Sequence, residues 1–212
     1  MNDLQIGQWI RAWTNSTRCP GGIPHLGRVI SVDEKAGTLW FGNQSVAWGV
    51  RCEDVAGPVR VVALVGCGKA KLDQAAPAKC LYTGPLFRAA RAWVEATYSE
   101  WWILSGGHGL VHPEQVLEPY EATLNTEAER RQWTWDTFGQ IVLERACGRF
   151  PDLTGDPLLV PIVVILAGQH YRRYLVPDLK AAGYQVHVPL DGMGIGQQIA
   201  WLRARLKEER ER

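Results

Sequence analysis

The segment GCGKAK, at residues 66–71, combines glycines with two lysines in a pattern suited to binding an anion. Gly66 and Gly68 allow the backbone to approach a ligand closely and to direct N–H groups at it. Lys69 and Lys71 can neutralise a phosphate. The GxxxxGK[ST] spacing of a Walker A loop is absent. The segment therefore predicts a phosphate-binding turn of another kind.

Cys67 lies between these glycines and allows two interpretations. A thiolate at this position would be a nucleophile. The sequence shows no partner base for it, so we favour the second interpretation, a small buried thiol.

The segment EPYE, at residues 118–121, places a carboxylate on each side of Tyr120. Cleavage of a sugar–base bond passes through an oxocarbenium-like state, which a nearby carboxylate stabilises. Glu118 and Glu121 are therefore candidate catalytic residues. Tyr120 and Tyr82 are candidates for stacking on the base or sugar. The alternative is an exposed, solvated loop.

His108 lies in the glycine-rich segment SGGHGL, at residues 105–110. Histidine titrates near neutral pH, so His108 is a candidate general acid or base, or a donor to a base or phosphate; the alternative is a structural role. Ser105 and Gly107 are predicted substrate contacts in the same turn. His112 follows outside any helical pattern, so we predict no metal ion and no cofactor.

Two later segments, GQHY at residues 168–171 and DGMGIG at residues 191–196, also contain glycine. Tyr171 and Gly194 are predicted to contact the substrate. DGMGIG partly imitates a dinucleotide fingerprint, but it follows the last predicted strand and not the first. We expect a phosphate or ribose contact at the N-terminus of the helix that follows. Asp191 would accept hydrogen bonds from sugar hydroxyls or cap this helix.

Each of the four glycine-containing segments follows an apolar run that predicts a strand. The strands are expected to begin at Arg60 and to span residues 100–104, 158–167 and 183–189. Predicted helices follow, including residues 85–98 and 126–150. Such alternation predicts an α/β fold with a mostly parallel sheet and helices on both faces. The four segments then meet at one edge of the sheet, where such folds bind ligands.

The helix predicted at residues 126–150 begins with a capping box formed by Thr126 and Glu129. Residues 75–80 and 111–125 are expected to form loops.

Residues 1–57 differ from the rest of the chain, because they lack helical periodicity. Short strands are predicted at residues 8–13, 27–32, 38–41 and 47–52, with a hairpin turn at residues 33–37. This pattern favours a small SH3-like β-barrel. Its tryptophans would form the core or stack on bases. The second domain is expected to span residues 58–212.

The composition is that of a soluble globular protein. The 212 residues carry a net charge of +1, and the five cysteines include no CxxC pair. We therefore expect free thiols and no zinc knuckle. The sequence shows no signal peptide and no apolar stretch of membrane-spanning length, so we expect a cytoplasmic protein with no membrane partner.

Two sets of motifs carry a resemblance to known families. GCGKAK and the LYTGPLF segment at residues 81–87 resemble a bacterial and phage domain of unknown function with GCGKxK followed by LYTxxLF. SGGHGLVHP at residues 105–113, followed by LEPY, resembles the S-x-x-[YH]-G-L-x-x-P…P-Y signature of the YaaA peroxide-stress family. The resemblance covers residues 60–125 and the segment 189–202.

The resemblance implies a YaaA-like core domain with a role in nucleic-acid chemistry. YaaA-like proteins are associated with DNA binding and protection from oxidative DNA damage, and related domains resemble enzymes that excise modified bases. The related domains carry a lysine two residues after the loop serine, where this chain has Gly107. If that lysine contacts phosphate, Lys69 or Lys71 would replace it. The N-terminal module would be an added grip on nucleic acid.

The hypothesis we favour is an N-glycosylase that removes a base from DNA or from a nucleotide, acting on damaged or modified bases. Lys69 and Lys71 would hold phosphate, His108 or Glu118 would transfer protons, and a base within duplex DNA would be flipped out. The alternatives are a non-catalytic DNA-binding stress or defence protein and a sensor of a free nucleotide.

Overall fold

A computed structural model of the chain describes residues 8–12, 25–33, 38–42, 47–51, 55–153 and 160–211. The chain divides into two compact units. The first comprises Met1–Arg60 and Leu153–Pro161, and the second comprises Val61–Asp152 and Ile162–Arg212. All the site residues predicted above belong to the second unit.

The first unit contains an antiparallel sheet with the strand order β4-β3-β2-β1-β5. The strands are β1 Trp9–Ala12, β2 His25–Asp33, β3 Thr38–Gly42, β4 Ala47–Arg51 and β5 Val55–Pro58. Ile10, Val29 and Phe41 are buried in it. Among the described residues no pairing joins β4 to β5, so they form an open sheet and not the expected closed barrel. Of the hairpin turn predicted at residues 33–37, Asp33 is the last residue of β2, and residues 34–37 lie outside the described residues.

Among the described residues, the second unit contains seven further strands and five helices. In chain order these are β6 Val61–Gly66, β7 Ala76–Pro77, α1 Ala78–Leu81, α2 Pro85–Thr97, β8 Glu100–Ser105, β9 Gly109–Val111, β10 Val116–Leu117, α3 Glu127–Ala146, β11 Ile162–Leu166, α4 Gln169–Ala181, β12 Gln185–His187 and α5 Ile195–Arg210.

The main sheet of this unit has the strand order β12-β11-β6-β8-β9. All pairings are parallel except that of β8 with β9, so the α/β, mostly parallel prediction is confirmed. Every residue of β11 is buried, as are residues 61–65 of β6. Strands covered on both faces are continuously apolar, which is why these runs could be recognised in the sequence.

The strand order places α2 on one face of the sheet and α3 and α4 on the other. The chain passes from β6 to β8 on one side, then returns to β11 and continues to β12 on the other side. Right-handed connections put the helices of these two excursions on opposite faces. Consistent with this, α3 packs against α4, while α5 packs against α2. The direction reverses between β6 and β11, which is the position where doubly wound sheets bind ligands.

Three local predictions needed correction. The SGGHGL segment does not lead from a strand to a helix; it forms a tight hairpin between β8 and β9, in which Gly109 has a φ of 70°. The two segments expected to be loops contain strands: residues 75–80 contain β7 and most of α1, and residues 111–125 contain β10, which pairs with β7. The helix expected to end at residue 150 ends at Ala146.

Candidate functional site

A pocket of about 300 Å³ lies at the switch point, beside the segments that follow β6 and β11. It combines cationic, carboxylate, thiol and aromatic side chains. Its lining consists of Cys67, Gly68, Lys69, Lys71, Glu121, Ala122, Thr123, Leu124, Asn125, Arg130, His170 and Tyr171. Three elements therefore build it: the turn after β6, the loop before α3 with the first turns of that helix, and the start of α4.

Gly66 allows the turns after β6 and β11 to lie against each other. A Cβ atom on Gly66 would lie 2.9 Å from the Cβ of Ala167, which no side chain tolerates without a backbone shift. One residue later, the Cys67 N–H donates to the Leu104 carbonyl at 2.9 Å, which ties the turn to the end of β8. The glycine is thus required for close packing of two strand ends.

Cys67 lies in the pocket wall and is only half-buried. Its Sγ atom and the Tyr171 hydroxyl share a contact of 3.3 Å. Burial raises the pKa of Tyr171 well above its usual range, and the adjacent Cys67 adds to this shift. Tyr171 is therefore a neutral phenol at physiological pH. The thiol lines a cavity and is only partly buried, so it differs from the small buried thiol of the favoured interpretation.

Three basic side chains line the pocket: Lys69, Lys71 and Arg130. The Lys71 Nζ atom lies 4.4 Å from the centroid of the Tyr120 ring and donates to the Lys69 carbonyl at 3.3 Å. The Arg130 guanidinium donates to the carbonyls of Leu124 at 2.9 Å and Asn125 at 2.6 Å. Within the described part of the chain, none of the three forms an ion pair with a carboxylate. This charge is available to an anionic ligand.

A cluster of buried hydroxyls lies behind the pocket. The Tyr120 hydroxyl shares hydrogen bonds of 2.6 Å with Ser105 Oγ and 2.8 Å with the Tyr82 hydroxyl. Ser105 Oγ also accepts from the His108 N–H at 3.1 Å. Burial raises the pKa of Tyr82 and of Tyr120. The cluster is neutral, and it fixes the loop that carries Glu121 to the end of β8.

Helix α3 holds the hairpin after β8 through two side chains. Trp133 Nε1 donates to the Ser105 carbonyl at 2.7 Å. Gln140 donates to the His108 carbonyl and accepts from the Leu110 N–H. The Trp133 ring also contacts the Tyr171 ring edge to face, with centroids 5.0 Å apart. The start of α3 is itself fixed, because the predicted capping box of Thr126 and Glu129 is confirmed.

The predicted site residues fall into three groups. Cys67, Gly68, Lys69, Lys71, Glu121 and Tyr171 share the pocket. Gly66, Tyr82, Ser105, Gly107, His108 and Tyr120 surround it through the contacts described here. Glu118, Asp191 and Gly194 do not line it. The structure thus brings together the residues of the first three glycine-containing segments, but only one of the two EPYE carboxylates.

His108 and Tyr82 have surroundings that differ from those expected. His108 is exposed, and its ring contacts the Tyr120 ring edge to face at 4.6 Å. Tyr82 is 1% exposed and packs on Phe87 at 5.0 Å between ring centroids. A ring so enclosed has no free face on which a base could stack. Glu118 is exposed on the loop.

Asp191 interacts with α4 and with its own turn, and it does not cap α5. Its carboxylate pairs with Arg172 at 2.6 Å and accepts from the Gly192 N–H at 2.9 Å. The Arg172 guanidinium lowers the pKa of Asp191. Gly194 is the N-cap residue of α5, and its N–H donates to Gln197 Oε1 at 2.9 Å. The fourth segment is therefore linked to α4 and not to the pocket.

Sequence reasoning missed six pocket residues, of which Asn125, Arg130 and His170 are able to contact a ligand through polar side chains of more than hydroxyl size. The others are Ala122, Thr123 and Leu124. His170 lies in the recognised GQHY segment, where only Tyr171 was selected. Arg130 directly follows the capping-box residue Glu129, and a basic side chain in the first turns of a helix that leaves a loop was the available signal. Asn125 carries no pattern of its own.

Within the described part of the chain, no three potential metal ligands of the His, Cys, Asp or Glu type lie close together. In the same residues, no helix combines the length and apolar character needed to cross a membrane.

Comparison of the sequence with known families assigns the part of the chain that contains the pocket to one of them. Residues 62–204 match a family of unknown function (DUF6884), and the chain belongs to this family. The matched region runs from β6 into α5 and includes every residue that lines the pocket. No curated protein and no solved structure matches the chain.

Proposed function

We propose that the protein hydrolyses the N-glycosidic bond between the base and the sugar of a nucleotide, either free or within DNA. The observation that carries this proposal is the presence of one carboxylate, Glu121, in a pocket with Lys69, Lys71 and Arg130. The cations provide a phosphate subsite. The carboxylate stabilises the positive charge that develops on the sugar in the transition state.

The reaction requires one water molecule and two proton transfers. The bond from C1′ of the sugar to the base nitrogen breaks, and the electron pair leaves with the base. Positive charge develops on the sugar, where the Glu121 carboxylate stabilises it and accepts a proton from the attacking water. The water oxygen bonds to C1′. His170, also in the pocket lining, supplies a proton to the departing base.

The nucleic-acid part of the proposal draws on two further observations. Lys69 and Lys71 follow a glycine-rich turn at the carboxyl end of β6, where α/β folds bind phosphates. The motifs at residues 66–71, 81–87 and 105–120 resemble those of YaaA-like domains, which suggests a role in DNA damage or modified-base processing. In this proposal the N-terminal sheet is an added grip on nucleic acid, and the protein acts in the cytoplasm.

The test is release of free base, detected by mass, from a panel of nucleotides and of DNAs with modified or damaged bases. We expect Glu121→Gln to lower the rate at least about 100-fold, because it removes the charge that stabilises the sugar cation. Glu95→Gln is the matched control; Glu95 lies on α2 and pairs with Arg91. Absence of base release from the whole panel would contradict the proposal.

The alternative is a non-catalytic DNA-binding protein, and the unpaired lysines of the pocket favour it as a second candidate. In that case binding weakens with salt and with Lys69→Ala and Lys71→Ala, but is unchanged by Glu121→Gln. Salt-dependent DNA binding without any base release would favour this alternative over hydrolysis.

A further inference from the structure

We infer that the pocket binds a free nucleoside 5′-monophosphate and not a nucleotide within a DNA strand. This inference rests on the proposed function for the reaction. Two observations support it: the size of the pocket and the positions of unpaired positive charge in the second unit.

Outside the pocket, eight of the thirteen described Lys and Arg side chains of this unit form ion pairs with carboxylates. Ion pairs join Lys79 to Glu114, Arg91 to Glu95, Arg131 to Glu127, Arg149 to Glu144 and Arg172 to Asp191. DNA binding instead requires a track of basic side chains that are free to contact successive phosphates. The five described basic side chains without an ion pair are distributed over α2, α4 and α5, whereas three unpaired cations share the pocket. They are Arg88, Arg173, Lys180, Arg203 and Arg210.

The charge within the pocket matches a terminal phosphate. Lys69, Lys71 and Arg130 are opposed by one carboxylate, Glu121. A phosphate monoester carries about −1.5 to −2 charges at pH 7, whereas each phosphodiester of a DNA strand carries one. A compact group of three cations therefore favours the monoester.

The start of α4 adds to this preference. Its N-cap is Gly168, which has no side chain to satisfy the first N–H groups of the helix, and His170 and Tyr171 of the first turn line the pocket. The positive end of the helix dipole thus adjoins the same cavity as the lysines. A phosphate here would be bound by the turn after β6 and by α4 together.

The volume of the pocket suits one nucleotide. About 300 Å³ lies at the lower end of the range for small-molecule sites, roughly 300–1,000 Å³. The loop carrying Glu121 forms one wall, and Arg130 fastens that loop to α3 through the carbonyls of Leu124 and Asn125. A wall held in this way limits the pocket to about the size of one nucleotide.

Cys67 provides a direct measure of occupancy, because it lines the pocket while Cys80 and Cys147 are exposed elsewhere on the same unit. The full chain is treated with iodoacetamide, and the rate of alkylation at each cysteine is measured by peptide mass. The probes are 5′-mononucleotides, the corresponding nucleosides, and oligonucleotides without terminal phosphates. At ten times its Kd, a mononucleotide should slow alkylation of Cys67 by about tenfold, with Cys80 and Cys147 unaffected.

Variants identify the phosphate subsite. Lys69→Ala and Lys71→Ala should abolish most of the protection, expressed as the ratio of Cys67 alkylation rates with and without nucleotide. Lys180→Ala is the matched control, since Lys180 is an exposed lysine in the last turn of α4 and does not line the pocket. Equal protection by nucleosides, equal protection by oligonucleotides, or no protection by any mononucleotide would each overturn the inference.

The same samples separate this inference from the proposed function. Protection by mononucleotides without release of base supports the ligand but contradicts hydrolysis. Release of base from DNA alone, with no protection by mononucleotides, contradicts the ligand but supports hydrolysis. Protection together with release of base from mononucleotides supports both.

Discussion

At the scale of single residues, Tyr120 connects more parts of the site than any other side chain described above. Its hydroxyl joins Ser105 and Tyr82, and its ring contacts Lys71 and His108. Tyr120 lies outside the pocket lining but directly precedes Glu121, so it acts as a positioning residue. Its role is to hold the carboxylate and Lys71 in place.

We expect Tyr120→Phe to lower the free energy of unfolding by about 1–3 kcal/mol, because the buried Ser105 and Tyr82 hydroxyls lose a partner while the ring remains. Chemical denaturation measures this change. Tyr184→Phe is a useful comparison, since it removes one hydrogen bond, to the Pro151 carbonyl, away from the site. Base release should fall with Tyr120→Phe and not with Tyr184→Phe; equal activity in both variants would contradict the positioning role.

The buried phenols also predict a dependence of stability on pH. Burial raises the pKa of Tyr82, Tyr120 and Tyr171 in the folded state, while an unfolded chain has a tyrosine pKa of about 10. Their contribution to stability is therefore complete below pH 10. It is lost as the pH rises from 10 through the folded-state values, because only the unfolded state then gives up its protons.

Absorbance at 295 nm during an alkaline titration tests this prediction. Of the six tyrosines in the chain, we expect these three to ionise only together with loss of folded circular dichroism. Ionisation of all six near pH 10, with the fold retained, would contradict the burial argument.

At the scale of elements, the hairpin between β8 and β9 depends on glycine where Tyr120 packs against it. A Cβ atom on Gly107 would lie 2.7 Å from a carbon of the Tyr120 ring. A side chain at this position would displace the ring. The cation over the Tyr120 ring is supplied by Lys71.

We expect Gly107→Ala to destabilise the fold by about 1–3 kcal/mol, as is usual for overpacking a fixed neighbour. Gly68→Ala is the matched control in a comparable turn, because a Cβ there would meet nothing within 4 Å. Thermal and urea unfolding measure both. Similar stability of the two variants would show that the Tyr120 ring moves aside at little cost in free energy, and it would contradict this prediction.

The elements that sequence could predict are those with strong, local patterns. The apolar runs of β6, β8 and β11 and the capping box of α3 each determine their own structure. The hairpin at residues 105–110 was misread because a glycine-rich turn looks the same before a helix as before an antiparallel strand. Glu118 and Glu121 were also indistinguishable, since only tertiary packing decides which of the two faces the pocket.

The role of Arg130 was also beyond what the sequence could predict. Its contacts are with backbone carbonyls of the preceding loop, and carbonyls carry no sequence signal. The switch point could be predicted only as a general property of α/β sheets, whereas its actual position requires the strand order.

At the scale of the whole molecule, the pocket lining comes entirely from Val61–Asp152 and Ile162–Arg212. We therefore expect a chain limited to residues 58–212 to retain base release from mononucleotides at close to the full rate. Any loss should be confined to DNA substrates, for which the N-terminal sheet is proposed as a grip. A folded truncated chain, verified by circular dichroism, that no longer releases base from mononucleotides would contradict this division of roles.

The most direct measurement of the central claim follows the oxygen atom in the reaction. The full chain is incubated with nucleoside 5′-monophosphates in ¹⁸O-water, and the products are identified by mass. Hydrolysis at C1′ predicts free unlabelled base and a sugar 5-phosphate that carries one ¹⁸O, both strongly reduced in Glu121→Gln. Label in inorganic phosphate, or no base and no sugar phosphate at all, would contradict hydrolysis of the N-glycosidic bond of a free nucleotide in this pocket.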